Sequence, residues 1–323
     1  MLVQQKRFER KVSPPPMRFQ DRDGQILQAI QTYDGVLARR QIKQLFWPQA
    51  SLQAMERRLT LLYHTGYLNM PDFEQRRIHP IPEPVVWLSW RGIVFVASQI
   101  GVEIDPPTPV NENKLRKLEK QLREAGVRWQ REPRWSQLAH DVAVNDFRLT
   151  VEQAAEHWPS LSLEEWIPEG EFLTNMDTVT ISEKDKQRKG VRPDGFFILV
   201  DHLRQIDNSP AKARFLLELD NSTHPLNRFG RDKALAGLAY IRSSAYRKRF
   251  SFNSGRWLVV CKSKQRMLNL KMQTEKVIGK QAGNFLFTTF DKVQPSTVLN
   301  IPIWLKGGSD ELIPLVSNIG VSR

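Results

Sequence analysis

Two short apolar runs, residues 196–200 and 214–219, limit what this chain can fold into more than any other feature of its sequence. Both are bounded by turn formers and rich in Phe, Leu, Ile and Val, the pattern of strands buried on both faces. Asp194 enters the first, and Glu218 and Asp220 leave the second. Side chains alternate along a strand, so Glu218 and Asp220 share one face while Leu217 and Leu219 take the other. Consecutive strands are usually neighbours, and a hairpin of these two brings Asp194 to the same edge. Three carboxylates so placed repel one another unless a cation sits among them. Hard divalent ions are held by one or two carboxylates with waters and a substrate phosphate, so Mg²⁺ or Mn²⁺ and phosphodiester chemistry are the expectation.

The residues around this hairpin resemble the PD-(D/E)xK, or restriction-endonuclease-like, nucleases. Pro193-Asp194 and Glu218-Leu219-Asp220 match their pattern, with Asp220 where the lysine belongs. Glu218 to His224 is also similar to the Glu-x-Asp-x-x-x-His segment of the very-short-patch-repair-like branch. The resemblance implies metal ligands at Asp194, Glu218 and Asp220 and a catalytic assistant at His224. With Asp220 where the family has its lysine, Lys233 in the following helix is the residue placed to reach back in its stead. Taken singly, each residue also has an ordinary structural role. Asp194-Gly195 reads as a turn, Glu218 and Asp220 as partners for Arg231 or Lys233, and His224 before Pro225 as a loop residue.

The formal net charge of +13 is unevenly spread. Residues 226–280 hold 14 Lys or Arg against Asp232 and Glu275 alone, immediately after the carboxylates. A polyanion, double-stranded DNA above all, is the partner such a field suits, with Arg247, Lys248 and Arg249 as candidate contacts. The single cysteine, Cys261, lies in an apolar run and forms no intramolecular disulfide. It reads as a core residue of a protein of a reducing compartment. No stretch reaches the roughly 18 apolar residues of a membrane span, and a cytoplasmic location without membrane contact is the expectation.

Residues 1–20 are basic and proline-bearing and read as a flexible arm. Residues 21–100 then give three short helices, the third over residues 51–63 with Ser51 as N-cap and Gly66 as stop, followed by two strands around a polar tip. That is the order of a winged helix-turn-helix DNA-binding domain. Its third helix would present Gln53, Arg57 and Thr60 to duplex DNA, and its wing Arg76 and Arg77. Residues 101–113, with three prolines, read as a linker. A second domain over 114–300 follows in the order helix, three strands, helix, strand, and 301–323 reads as a tail. The fold class is therefore α+β in two domains, the second with the αβββαβ order that the nuclease resemblance implies.

Taken whole, residues 20–300 resemble the replication-relaxation family of bacterial plasmids and mobile elements. The likeness rests on the helical start, His140-Asp141, Arg192-Pro193-Asp194-Gly195, and Glu218-Leu219-Asp220 followed by Lys233 and Tyr240. It implies a DNA-binding protein, either a metal-dependent endonuclease that cuts or nicks DNA or a non-catalytic factor for replication, mobilisation or transcription. Other plasmid or mobile-element proteins would be its further partners.

Overall fold

The computed structural model describes residues 9–79, 81, 83–104, 111–182, 186–221 and 225–316. The chain divides into two compact units, Met1–Asn145 and Asp146–Arg323, each with its own core. The sequence suggests a division at residues 101–113, of which 105–110 lie outside the described residues.

In the first unit, α1 (Asp21–Thr32), β1 (Val36–Ala38), α2 (Arg39–Phe46) and α3 (Leu52–His64) precede β2 (Leu68–Asn69). The helix α4 (Phe73–Ile78), β3 (Val85–Leu88), α5 (Trp90–Gln99) and α6 (Glu112–Glu124) follow. The strands form a small antiparallel sheet in the order β1-β3-β2. Ser51 caps α3, its hydroxyl accepting from the Ala54 amide at 3.3 Å. Gly66, at φ +83°, turns the chain out of that helix in a conformation that glycine adopts without strain. Met55, Leu59 and Leu62, at helical spacing, turn one stripe of α3 into the core, while Leu52 in its first turn is half exposed. Between β2 and β3 the chain forms α4 where a polar tip was expected, because Asp72 and Gln75 close a reciprocal capping box around its first turn.

The helix α7 (Leu138–Glu156) crosses the division between the units. Its first two turns complete the first unit: Leu138 and Val142 join Val36, Ala38, Val85 and Trp87 in one apolar cluster. Gln41 donates to the Val142 carbonyl at 2.9 Å, and the Asn145 amide donates to the carbonyls of Tyr33 and Val36. A domain ending near residue 100 would leave that cluster uncovered. The arm also differs from expectation in its described part. Arg10 donates to the carbonyls of Tyr63 and Leu68, and Phe19 packs on Tyr67 and Phe95.

In the second unit, β4 (Leu161–Pro168), α8 (Glu169–Thr174) and the two-stranded β5 (Asp177–Ser182) and β6 (Gln187–Val191) lead to the long β7 (Gly195–Ile206) and β8 (Ser209–Asp220). A helical stretch follows: α9 (Leu226–Phe229), a π-helical turn over Gly230–Leu235, α10 (Ala236–Arg242) and, after a break at Ser243, α11 (Ser244–Phe250). The sequence pattern suggests one helix here. The extended Ser243 ends it by capping α11 through the Tyr246 amide. Then come β9 (Arg256–Cys261), α12 (Lys264–Ile278), β10 (Phe285–Thr289), β11 (Trp304–Lys306) and β12 (Leu312–Ile313).

One mixed sheet of seven strands results, in the order β12-β11-β10-β9-β8-β7-β4. β7 runs antiparallel to both β4 and β8, while β8, β9 and β10 run parallel to one another. The described part of the segment expected to be a tail, residues 301–316, instead extends this sheet, since β11 and β12 pair in it and Trp304 is fully buried. Phe196, Ile198, Leu216, Val259 and Phe287 meet the helices after β8 on one face. On the other, Phe197 stacks on Trp166 and packs at a tilt against Phe147 and Phe215. Burial on both faces is why β7 and β8 read as continuous apolar runs rather than alternating ones. Among the described residues no helix is long and apolar enough to cross a membrane.

Candidate active site

The register of the sheet assembles the site. Gly195 pairs with Leu217 across β7 and β8, and with Pro168 across β7 and β4. One step further out, Asp194 therefore lies between Glu218 and Glu169 at one sheet edge. Gly195 belongs to the strand and not to a turn. A Cβ there would lie 2.9 Å from the Trp166 ring, so the ring's close approach accounts for the glycine after Asp194. Asp194, Glu218, Asp220 and Glu169 are all buried.

Each carboxylate has a defined partner. Asp194 Oδ2 accepts from the Leu219 amide at 2.6 Å, which ties it to the neighbouring strand between Glu218 and Asp220. Glu218 Oε2 accepts from Lys233 Nζ at 2.8 Å. Lys233 sits in the π-helical turn, a local widening that often marks functional sites because it re-aims the side chains it carries. Gly230 opens that turn against α12, where a Cβ would meet Val277 at 2.9 Å and the Gln273 carbonyl at 3.1 Å. Burial pulls the Lys233 pKa down, but the charges of Glu218 and Asp194 outweigh it, and the pKa stands above the ordinary lysine value. Lys233 is thus an ammonium at neutral pH, a proton donor rather than a base.

Asp220 is placed differently from the sequence expectation. Arg266 of α12 grips both its oxygens in a fork, at 2.6 and 2.9 Å. Among the described residues no three His, Cys, Asp or Glu side chains are grouped to hold a metal ion. The expected trio of metal ligands is therefore not assembled, because a guanidinium supplies the positive charge at Asp220. Asp194 and Glu218, on adjacent strands, remain a donor set that suits Mg²⁺ or Mn²⁺. Such ions are bound through one or two carboxylates and keep several waters. His224, the expected assistant, lies outside the described residues.

Sequence reasoning missed Arg266 and Glu169. Glu169 accepts an ion pair from Arg192 at 3.1 Å and stands at the end of β4 as Asp194 stands at the start of β7. The Pro-acid pairs Pro168-Glu169 and Pro193-Asp194 were the available signal. Exposed cations lie close in the chain to these residues: Arg192 before Asp194, Arg228 and Arg231, both paired with Asp232, in the helical stretch of Lys233, and Lys262 and Lys264 just after β9.

The candidate DNA contacts separate into two groups. Gln53, Arg57 and Thr60 are exposed on α3, and Arg247 and Lys248 are exposed on α11. Arg249 is not available in the way its neighbours are. It is committed to Asp177 at 2.6 Å and to the Asn175 carbonyl, and it lies over the Phe172 ring. Arg76 and Arg77 lie on α4 and not on a ribbon tip; Arg76 donates to the Pro71 carbonyl, and Arg77 pairs with Glu74 at 2.6 Å.

The profile of the replication-relaxation family matches residues 27–244, more than half of the chain. No curated protein matches it. The solved structure of the restriction endonuclease FokI bound to DNA is similar at 12% identity and a TM-score of 0.23, over 84% of this chain and 43% of that one. A likeness at that level supports no inference about fold or activity, and the chain spans less than half the length of the FokI chain.

Proposed function

The chain belongs to the replication-relaxation family, and we propose that it is a DNA-binding, replication-associated protein of a plasmid or mobile element that cleaves phosphodiester bonds with a divalent metal. The observation that carries this reading is the placement of Lys233 Nζ, 2.8 Å from Glu218 and electrostatically coupled to Asp194. An Asp, a Glu and a Lys then meet at one sheet edge, with the lysine delivered by a helix instead of by the strand position that Asp220 occupies. Asp194 and Glu218 would hold Mg²⁺ or Mn²⁺, which when bound supplies an acidified water and neutralises charge on the scissile phosphate. The Lys233 ammonium orients that water or donates to a phosphate oxygen as charge develops in the transition state. Arg192, Arg228, Arg231, Lys262 and Lys264 bind the flanking backbone phosphates. In this reading the first unit is a winged helix-turn-helix that selects the duplex through Gln53, Arg57 and Thr60 on α3.

A non-catalytic DNA-binding role has one specific observation in its favour. Glu218 and Asp220 each already carry a protein cation, Lys233 and Arg266, so the edge is electrically satisfied without a metal. Nicking of supercoiled plasmid separates the two. The expected result is Mg²⁺-dependent nicking that Asp194→Asn and Glu218→Gln abolish and Lys233→Met lowers about 10²- to 10³-fold, the loss typical of removing one transition-state donor. DNA affinity should change little in all three. Wild-type protein that binds plasmid yet nicks it with neither Mg²⁺ nor Mn²⁺ would establish the non-catalytic role.

A further inference from the structure

The fork between Arg266 and Asp220 has the geometry of a permanent counter-ion. Glu218 and Asp220 are two apart on β8 and share its helix-facing side, each beside its own cation. Asp220 pairs in register with Cys261 of β9, and the chain then turns back so that Arg266, in the first turn of α12, covers the end of β8. The Ser263 hydroxyl accepts from the Arg266 amide at 3.3 Å and fixes the start of that turn. Both side chains are largely removed from solvent, Asp220 at 5% exposure and Arg266 at 13%.

Two-metal phosphodiester centres place ions about 3.5–4 Å apart with carboxylates shared between them. A Glu-x-Asp pair on one strand face beside a third aspartate is a donor set that could carry a second ion. Here the second carboxylate of the pair is filled. A guanidinium cannot be deprotonated, and its planar fork satisfies both oxygens of a carboxylate at once. Drawing it away from a buried aspartate would leave that charge uncompensated, which is strongly unfavourable. A second divalent ion would have to displace Arg266 and also bear its repulsion.

We propose that Arg266 is a built-in cation that holds the place of a second metal at Asp220, so that the site takes one divalent ion per chain. This rests on the reading of Asp194 and Glu218 as metal ligands. Mn²⁺ titration of the full chain tests it, with the count from calorimetry and the spacing from electron paramagnetic resonance. Wild-type protein should bind one Mn²⁺ with the spectrum of an isolated ion. Arg266→Gln, which keeps a polar group but removes the charge, should bind two, with the dipolar broadening of neighbouring ions. The double variant Asp220→Asn, Arg266→Gln should return to one. Two ions on wild-type protein, or one on a folded Arg266→Gln, overturns the proposal while leaving the metal reading intact. No Mn²⁺ on wild-type protein overturns the metal reading itself and this inference with it. If Arg266→Gln does not fold, the wild-type count decides.

Discussion

Arg247, Lys248 and Arg249 are adjacent in sequence and alike in charge, yet only the first two point to solvent. Arg249 and Tyr240 both reach Asp177, each at 2.6 Å, and so fasten β5 to the helices that follow β8. Hydrogen bonds to a charged group contribute about 1.5–3 kcal/mol each, so Arg249→Ala should lower stability by about that much in denaturant titration. Arg247→Ala and Lys248→Ala should stay within about 0.5 kcal/mol and instead weaken DNA binding. Tyr240 and, at the carboxylate site, Lys233 set an alkaline limit. Burial, and then the hydrogen bond to Asp177, push the Tyr240 pKa up, and Glu218 and Asp194 hold that of Lys233 up against burial. A raised folded-state pKa gives stability that is complete below the unfolded value and lost as pH climbs past it. Thermal midpoints should therefore be flat to about pH 9 and fall from about pH 10 upward, where unfolded tyrosine and lysine release protons. Tyr240→Phe should flatten that decline, and an unchanged slope would show that Tyr240 does not set it.

At the level of single elements, α3 divides its side chains between packing and solvent. Arg58 grips the fully buried Asp23 of α1, with the Nε contact at 2.6 Å, while Arg57, one residue earlier, faces solvent with Gln53 and Thr60. Removing one partner of a buried ion pair costs about 3–5 kcal/mol, so Arg58→Ala should unfold the first unit at markedly lower urea. Arg57→Ala should leave the urea midpoint in place and reduce duplex binding, lowering the log-log salt slope by about 0.9 if it neutralises one phosphate. The reverse pattern would move the DNA surface off α3. The sequence reveals such an element in part. Apolar spacing finds α3, and Ser51 marks its start, but spacing cannot tell which of two adjacent arginines a distant aspartate has claimed. Strand alternation likewise makes Glu218 and Asp220 visible as a pair. Arg266, 46 residues beyond Asp220, is hidden because only the parallel register of β8 and β9 and the turn into α12 bring it back. The π-helical turn that aims Lys233 is equally silent, since no residue type specifies it.

For the whole molecule, composition points to a break at the prolines near residue 106, whereas the cores place it inside α7. Proline content reports where a chain is extended, not where its buried contacts end, and long-range closure of a core has no local signature. Asn145 and Val142 close the first unit from more than a hundred residues beyond the groups they bond, Val36 and Gln41. This fixes where the chain can be divided. A fragment of residues 1–100 keeps the small sheet but strips Leu138 and Val142 from the cluster around Val36, Val85 and Trp87. Each fully buried aliphatic side chain so lost is worth about 1.5–3 kcal/mol, and the Asn145 and Gln41 bonds go with them. Loss of several kcal/mol is a large share of the stability of a small domain. Residues 1–156, which retain all of α7, should give a cooperative unfolding transition and bind duplex DNA with a shallower salt dependence than the whole chain, since they lack the cations of the second unit. Residues 1–100 should unfold at much lower urea or aggregate through the uncovered cluster. Equal stability of the two fragments, measured by circular dichroism in urea, would return the boundary to the proline-rich stretch.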